Sequence, residues 1–424
     1  TFVHANMGFI GLKAFPAAVV GGFGSLPGAI VGGLVIGVVE ALAGFYLPEG
    51  FKDIAPYIVV LIMLVLKPNG LFGEKLRKKV RESQTHPARP LNQRTSTPRT
   101  MRFIFKTDYD QDIRLAKHGG HVFWYSLLGL ALLAAPWLMS EYALAQLTFV
   151  LIYAIVGLGL MLLAGFTGLF SLGHAAFLGV GAYTEAVLAN AGWPFPVSIA
   201  IAGLLSAAVG MVVGLPALRV KGIYLGMATL AFGFIVEEGL ARWESVTGGN
   251  AGLSVAPPAI GGWVIDGTVG FYFLCLVLCV AATLAIVNLL RAPTGRAFVA
   301  IRDSEISAQS MGIHLARYKT LSFALSAALA GIGGALYAHK IQFLSPDQFS
   351  IIQSIDLLLL VVIGGLGSVH GAFLGAIFLI VMPQLIAAAK DYLPESVGQS
   401  TGLQGTVYGL VLIAFVLFEP MGLY

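Results

Sequence analysis

Charged residues are scarce in this sequence, and their scarcity excludes an ordinary soluble fold. Only 11% of the 424 residues are Asp, Glu, Lys or Arg, whereas 57% are hydrophobic. Soluble domains carry roughly 25% charged residues, so a chain this apolar has no means of covering a water-facing surface. Its 53 glycines and 19 prolines are typical of membrane helices, where small residues allow close packing and helix breaks are tolerated. The composition predicts a multi-pass membrane protein.

Cysteine and the common catalytic motifs are also nearly absent. The two cysteines, Cys275 and Cys279, are four positions apart and are interpreted as packing residues on one helix face. The sequence contains no G-x-x-x-x-G-K-[ST], which excludes a P-loop for ATP, and no His/Cys/Asp cluster with metal-ligand spacing. We therefore expect no catalytic residue, metal or cofactor in this chain. It does not begin with Met and shows no secretory signal pattern, so we expect residue 1 to lie within a longer polypeptide.

Positive charge is concentrated in two loops. Residues 74–122 hold 12 of the 25 Lys and Arg residues, with no interleaved aromatic pattern of a nucleic-acid site. The 291–319 loop is basic as well. Under the positive-inside rule both are predicted to be cytoplasmic. Residues 241–268 contain Gly and Pro turns with little positive charge and are predicted to face outward.

Apolar stretches long enough to cross a bilayer follow one another along the chain. Because a spanning helix needs about 20 apolar residues, and several stretches are broken by glycine, we expect about eight to ten crossings in an all-α bundle with broken or re-entrant helices. The candidate segments are 15–45, 54–67, 122–139, 142–164, 166–190, 195–216, 222–240, 269–290, 320–338, 355–389 and 403–418.

An internal repeat defines the domain organisation. Residues 19–32, VVGGFGSLPGAIVG, match residues 362–375, VIGGLGSVHGAFLG, at eight of 14 positions. Two copies so far apart do not form a solenoid, whose repeats recur every 20–50 residues. We predict that residues 1–75 are the C-terminal fragment of a first domain, that 76–119 are a basic linker, and that 120–424 are a complete second domain of the same kind.

Glycine-rich breaks are the candidate translocation pathway. Residues 164–184, AGFTGLFSLGHAAFLGVGAYT, interrupt an apolar run with glycines, and non-helical backbone at membrane depth is tolerated where it is buried or lines a cavity. Close packing through small residues is the alternative. The acids within apolar segments make no relay pattern: Glu40, Glu185, Glu237, Glu238 and Asp356. Arg219 and Lys221 are interpreted as interfacial anchors.

The loop 291–319 predicts a short amphipathic helix. Phe298, Ile301 and Ile306 recur near helical spacing, with Arg302 and Asp303 between them. Such a helix docks into a partner groove, with the two charges fixing its register; the alternative is a helix that lies on lipid. Gly312 is predicted to end it.

Five strings in this order resemble the permease family of high-affinity branched-chain amino acid importers. They are SLGHAAFLGVGAYT (171–184), LRVKGIYLGMATLAFGF (218–234), TGGNAGL (247–253), GRAFVAIRDSEISAQSMGI (295–313) and GGLGSVHGAFLG (364–375). Residues 120–424 resemble the second of two paralogous permeases. Residues 1–75, through GGFGSLPGAIVGG and KPNGLFG, resemble the C-terminal end of the first.

The resemblance implies an ATP-binding-cassette importer of the bacterial inner membrane. It implies a heterodimer of two permeases, two ATP-binding subunits that hold ATP and Mg²⁺, and a periplasmic binding protein. The family's coupling helix falls on Gly295, Arg296, Ala300, Arg302, Asp303, Ala308 and Gly312. Leucine, isoleucine and valine are the expected substrates, with urea, short amides or other neutral amino acids as alternatives. An ATP-independent secondary transporter is the other alternative in class.

The pathway is placed at the two glycine-rich breaks of this chain. The residues concerned are Gly168, Ser171, Gly173, His174, Gly364, Gly365, Gly367 and Ser368. No catalytic residue and no metal ligand is assigned.

Overall fold

A computed structural model places most of the predicted helices. It describes residues 7–22, 25–47, 51–67, 70–72, 119–215, 218, 220, 222–260, 263–265, 267–390, 409–410 and 413. Most of the predicted linker (76–119) and of the segment 403–418, together with the anchors Arg219 and Lys221, lies outside the described residues. Residues 1–73 and 139–424 form one compact unit, and residues 74–138 form another.

The first unit is a bundle of helices with short irregular connections. Its helices are α1 (Met7–Gly21), α2 (Leu26–Tyr46), α3 (Phe51–Leu66), α5 (Glu141–Met161), α6 (His174–Asn190), α7 (Phe195–Gly214), α8 (Ile223–Arg242), α9 (Glu244–Thr247), α10 (Thr268–Arg291), α11 (Pro293–Asp303), α12 (Glu305–Ser310), α13 (Leu315–Ile341), α14 (Ile351–Gly364) and α15 (Val369–Lys390). The second unit contributes α4 (Gly119–Leu138), an apolar helix with Pro136 near its end.

Eight helical segments within the described residues are long and apolar enough to cross a membrane. This agrees with the expected range. Two stretches that were too glycine-broken for one straight helix are indeed helix pairs: 15–45 is divided between α1 and α2, and 355–389 between α14 and α15. Segment 166–190 begins with an irregular stretch, and its helix starts only at His174.

The loop 241–268 holds more structure than the predicted turns. Besides α9 it contains β1 (Leu253–Ser254), β2 (Ala259–Ile260) and β3 (Trp263–Val264), and a fourth strand, β4 (Phe343–Leu344), follows α13. Strand β1 pairs antiparallel with β4, with Leu253 opposite Leu344. Strands β2 and β3 pair antiparallel, with Ala259 opposite Val264. The strand pair β1–β4 therefore ties this loop to the end of α13.

Helix α5 lies at the centre of the first unit. Fourteen of its 21 residues are buried, including Ile152 and Ile155 at 0% exposure, and it packs against α10, α13, α14 and α15. Small residues bring the neighbouring helices into close contact. Gly334 of α13 lies against the carbonyl group of Leu178, where a Cβ atom would overlap it. Such backbone approach is how membrane helices gain packing energy without a hydrophobic driving force.

The sequence repeat is also a structural repeat. Gly21 and Gly28 pack so closely, each against the carbonyl oxygen of the other, that neither has space for a Cβ atom. Gly364 and Gly371, each 343 positions later, make the same reciprocal contact. The α1–α2 pair and the α14–α15 pair are therefore built on the same glycine contact.

The turns between the paired helices match as well. The Ser25 hydroxyl accepts a hydrogen bond from the Gly28 amide at 3.1 Å, and the Ser368 hydroxyl accepts one from the Gly371 amide at 3.2 Å. Serine is a favoured N-cap because its oxygen satisfies one of the amides left unpaired in the first turn. Ser368, a predicted pathway residue, thus acts locally as a helix cap.

The N-terminal helices pack against the rest of the first unit at α8. Tyr57 of α3 is 4% exposed, and its ring stacks on that of Phe234 in α8, with centroids 4.4 Å apart and planes 17° from parallel. Ile54, Val60 and Leu64 are buried on the same helix. Fully buried aromatic side chains dominate such contacts.

Candidate coupling site and translocation pathway

The predicted amphipathic segment consists of two short helices. Helix α11 begins at Pro293, where the ring fixes the backbone angle and the missing N–H is not needed. Ser304 separates it from α12, and its hydroxyl accepts a hydrogen bond from the Ser307 amide at 3.3 Å. Gly312, with φ +83°, follows the end of α12. The single predicted helix is therefore two, because Ser304 caps a new start, and Gly312 ends the second one.

One face of α11 is anchored in the bundle. Phe298 is 0% exposed and Ile301 2% exposed, and the Phe298 ring meets that of Tyr318 edge to face, with centroids 6.2 Å apart. Gly295 is required for this approach, because a Cβ atom there would overlap the backbone of Leu290. Ala308 of α12 is buried as well, whereas Arg296 is exposed and Ala300 is half-buried.

An ion pair that was not predicted holds α12 against α13. The Lys319 ammonium lies 2.8 Å from Oε1 of Glu305, with side-chain exposures of 2% and 20%. In the sequence, Lys319 was recognised only as one of the positive charges of the 291–319 loop. A lysine this deeply buried requires a charged partner, and Glu305 supplies it.

Arg302 connects α11 to both glycine-rich breaks. Its Nη1 donates a hydrogen bond to the carbonyl oxygen of Gly165 at 3.0 Å. Gly165 belongs to the π-helical turn Leu162–Phe166 that ends α5. A Cβ atom on Gly168 would lie 3.1 Å from Cγ of Arg302, and one on Gly367 would lie 3.5 Å from its Nη1. Three chain segments that are far apart in sequence therefore meet at one guanidinium group.

Asp303 forms an ion pair within its own helix. It pairs with its neighbour Arg302 at 3.1 Å. Both side chains are exposed, so this pair adds little stability, but it orients the guanidinium toward Gly165. The sequence assigned Arg302 and Asp303 to register on a partner surface, and the structure shows that Arg302 also binds inward.

The break before α6 is held by side chains of other helices. The Leu172 amide donates to the Thr229 hydroxyl at 2.9 Å, and the Ala175 amide donates to the Ser354 hydroxyl at 3.0 Å. Gly173 lies directly against the carbonyl oxygen of Thr229, which leaves no space for a side chain. Backbone groups freed by the break are thus satisfied within the protein, as membrane depth requires.

Ser171 and His174 are enclosed in this conformation. Both are 0% exposed, and neither the Ser171 hydroxyl nor either ring nitrogen of His174 has a hydrogen-bond partner within the described part of the chain. The His174 ring packs edge to face on Phe177, with centroids 5.5 Å apart. Buried polar atoms are normally paired, so Ser171 and His174 are the exceptions next to this break in the described part of the chain.

The second break is the turn from Gly364 to Ser368. Gly365 and Gly367 have φ angles of +109° and +90°, which favour glycine. The Gly367 amide lies 3.1 Å from the sulfur of Met161, at the end of α5. The two predicted pathway breaks are therefore neighbours, joined at Gly165, Gly367 and Arg302.

A second polar cluster, at the opposite end of α13, was not predicted. Glu185 of α6 accepts a hydrogen bond from the Ser198 hydroxyl at 2.7 Å and lies 2.9 Å from Nε2 of His339. Both Glu185 and His339 are at 0% side-chain exposure. The two partners are 154 positions apart in the sequence, so no local pattern predicted the pair, and Glu185 was noted only as an isolated acid.

Within the described residues, no group of three or more His, Cys, Asp or Glu side chains lies close enough to hold a metal ion. Cys275 and Cys279 are free thiols, both buried. They pack on α10, as predicted.

These features define a multi-pass membrane protein with broken helices that converge on a short amphipathic segment. A family model described as "Branched-chain amino acid transport system / permease component" matches residues 142–416. The chain belongs to this family of transport permeases, as its motifs indicated.

Curated relatives include both of the paralogous permeases that the sequence resembles. The high-affinity branched-chain amino acid transport system permease protein LivM of Escherichia coli (strain K12) is 35% identical over 71% of this chain and 74% of its own length. The permease protein LivH of Salmonella typhimurium is 43% identical over 79 residues, which are 18% of this chain and 26% of LivH. A probable LivM of Methanocaldococcus jannaschii is 25% identical over 53% of this chain and 67% of its own length. No solved structure matches.

Proposed function

We propose that this chain is a transmembrane permease subunit of an ATP-binding-cassette importer that carries leucine, isoleucine and valine into the cytoplasm. The observation that carries the proposal is the bond from Arg302 to Gly165, because it joins an exposed amphipathic segment to the pathway breaks. The LivM relative is named for branched-chain amino acid transport. ATP and Mg²⁺ belong to separate subunits.

The exposed face of α11–α12 is the proposed ATPase-docking surface. Ile306 is 67% exposed and Met311 is 85% exposed, on a segment that the positive-inside rule assigns to the cytoplasm. An exposed apolar residue on a short helix is the usual anchor in a partner groove. When the ATPase pair closes, a rigid-body shift of α11–α12 would move Arg302 and with it both breaks. Alternating access then follows from contacts that differ between two states.

The other proposed partners are a second permease and a periplasmic binding protein in the bacterial inner membrane. The separately named LivH relative matches over 26% of its own length, which supports pairing of two permeases. The contact of Tyr57 with Phe234 supports α8 as the surface where the first permease meets the second. Residues 1–75 remain, by this proposal, the end of that first permease.

The test is uptake of labelled leucine into vesicles that contain all subunits of the importer, including an intact first permease. Uptake that needs ATP and is blocked by valine but not by urea supports both the class and the substrate. Competition by urea and not by valine would support the permease class but reject branched-chain amino acids as the substrates. Uptake that ignores ATP, or that survives Arg302→Glu unchanged, would reject the importer in favour of a secondary transporter.

A further inference from the structure

A cavity of about 240 Å³ lies at the end of α13 that is remote from the α11–α12 segment. Its walls come from the turn between α6 and α7 and from the loop that pairs with the end of α13. Trp193, Phe195 and Pro257 supply apolar surface, and Glu185 and His339 are the ionisable side chains that line it. Cavities for drug-sized ligands measure roughly 300–1,000 Å³, so this one suits a smaller molecule.

Glu185 presents one carboxylate oxygen without a protein partner. Its Oε1 accepts a hydrogen bond from the Ser198 hydroxyl at 2.7 Å and lies 2.9 Å from Nε2 of His339. Its Oε2 is buried and has no hydrogen-bond partner within the described residues. A buried carboxylate oxygen that accepts nothing costs free energy. A donor that enters the cavity would remove that cost.

His339 is fixed and is not available to bind a ligand. Its Nδ1 lies 3.0 Å from the carbonyl oxygen of Ala256, which can only accept, so Nδ1 carries a proton. Its Nε2 lies 2.9 Å from Oε1 of Glu185. The adjacent Lys340 is directed elsewhere, with its ammonium 5.7 Å from the ring centre of Phe149. Of the two ionisable side chains that line the cavity, Glu185 is therefore the one with an atom, Oε2, that has no hydrogen-bond partner in the described part of the chain.

We propose that this cavity binds the ammonium group of a small apolar amine, with the amino group of the transported amino acid as its natural occupant. The ammonium donates to Oε2 of Glu185, and the apolar body packs on Trp193, Phe195 and Pro257. The face of Trp193 adds attraction for the cation. The identity of the occupant rests on the proposed function, whereas the amine site itself does not.

The test uses the full purified chain in lipid nanodiscs and the fluorescence of its tryptophans, with Trp193→Phe to assign the signal. The probes are leucine, 3-methylbutylamine, which lacks the carboxylate, and 4-methylpentanoate, which lacks the amine. We expect saturable changes with leucine and with the amine, and none with the acid. Glu185→Gln, which keeps the shape and removes the charge, weakens amine binding about tenfold or more, equivalent to about 1.4 kcal/mol.

Ser198→Ala is the matched control, because it removes a donor to Oε1 and leaves Oε2 in place. It lowers amine affinity far less than Glu185→Gln. If Glu185→Gln fails to give a monodisperse protein, Trp193→Ala takes its place, since Trp193 is 49% exposed and its loss removes both apolar contact and cation attraction. Because this variant lacks the reporting tryptophan, its amine binding is measured by calorimetry, and affinity equal to that of the unmodified chain would overturn the proposal. Binding of the acid as tight as that of the amine, urea binding that depends on Glu185, or amine binding unchanged by Glu185→Gln would overturn the proposal.

The results distinguish a failure of the proposed amine site from a failure of the proposed transport function. Glu185-dependent amine binding together with absent ATP-driven uptake would leave the amine site standing and reject the importer. Normal ATP-driven leucine uptake, together with amine binding that does not depend on Glu185, would support the importer and reject the amine site.

Discussion

Nη1 of Arg302 donates a hydrogen bond to the carbonyl oxygen of Gly165, 137 residues earlier in the chain, at 3.0 Å. The carbonyl oxygen of Gly165 is free to accept this bond because the helix ends one residue later, in a π-helical turn, and the last carbonyl groups of a helix have no partner within it. Such turns are frequent at functional sites. The bond joins the amphipathic segment to the glycine-rich break that precedes α6.

We expect Arg302→Lys to uncouple transport from ATP hydrolysis without releasing the ATPases. A lysine keeps the charge but lacks the planar fork that reaches Gly165 and Asp303 together. Loss of one charged hydrogen bond is worth about 1.5–3 kcal/mol, so leucine uptake falls about tenfold or more. ATPase subunits still co-purify. Arg317→Lys, the same change at an exposed arginine of α13, is the control, and an equal loss of uptake there would contradict the prediction.

Alanine at Gly168 or Gly367 is expected to destabilise the junction of the two breaks. Their φ angles are +74° and +90°, and a left-handed backbone costs other residues about 1–2 kcal/mol. The melting temperature in detergent should therefore fall. The control is Gly33→Ala in α2, where no atom lies within 4 Å of an added Cβ and helical propensity favours alanine. Equal melting temperatures for all three variants would count against strain at the junction.

Lys319→Met is expected to be among the most damaging single substitutions in this chain. It leaves Glu305 charged beside a buried site, and breaking a buried pair costs about 3–5 kcal/mol. The double variant Lys319→Met with Glu305→Gln should recover much of that loss. Thermal unfolding of the single and double variants measures the coupling directly. Arg317→Met, at an exposed position two residues away, is the control and should change stability little.

Tyr57→Ala is expected to loosen the N-terminal helices from α8. Truncating a buried aromatic side chain costs about 3–5 kcal/mol, and the stacked Phe234 loses its neighbour. Hydrogen exchange should rise at residues 51–66, whereas the amides of α5 keep their protection. Ile58→Ala, on the exposed face of α3 at 40% exposure, is the control. Unchanged exchange in Tyr57→Ala would show that the ring does not hold α3 in place.

Local patterns predicted the features of this fold that depend on neighbouring residues. Glycine spacing indicated the breaks, and the repeat led from Gly21 and Gly28 to Gly364 and Gly371, which make the same contact. The pairs Lys319–Glu305 and Glu185–His339 left no such pattern, because each is formed by helices that fold together from distant parts of the chain. Arg302 was selected from its place on the amphipathic segment, but its inward bond was not predicted, because that bond depends on where the π-helical turn ends.

The two cysteines have a practical consequence for following motion in this protein. They are the only thiols in the sequence, and both are shielded in α10, at 0% and 2% exposure. A water-soluble maleimide will therefore react slowly with these two thiols. A cysteine introduced at Met311, which is exposed, will react first. Paired spin or fluorescent labels can then report distances during the transport cycle in a background that retains both native cysteines.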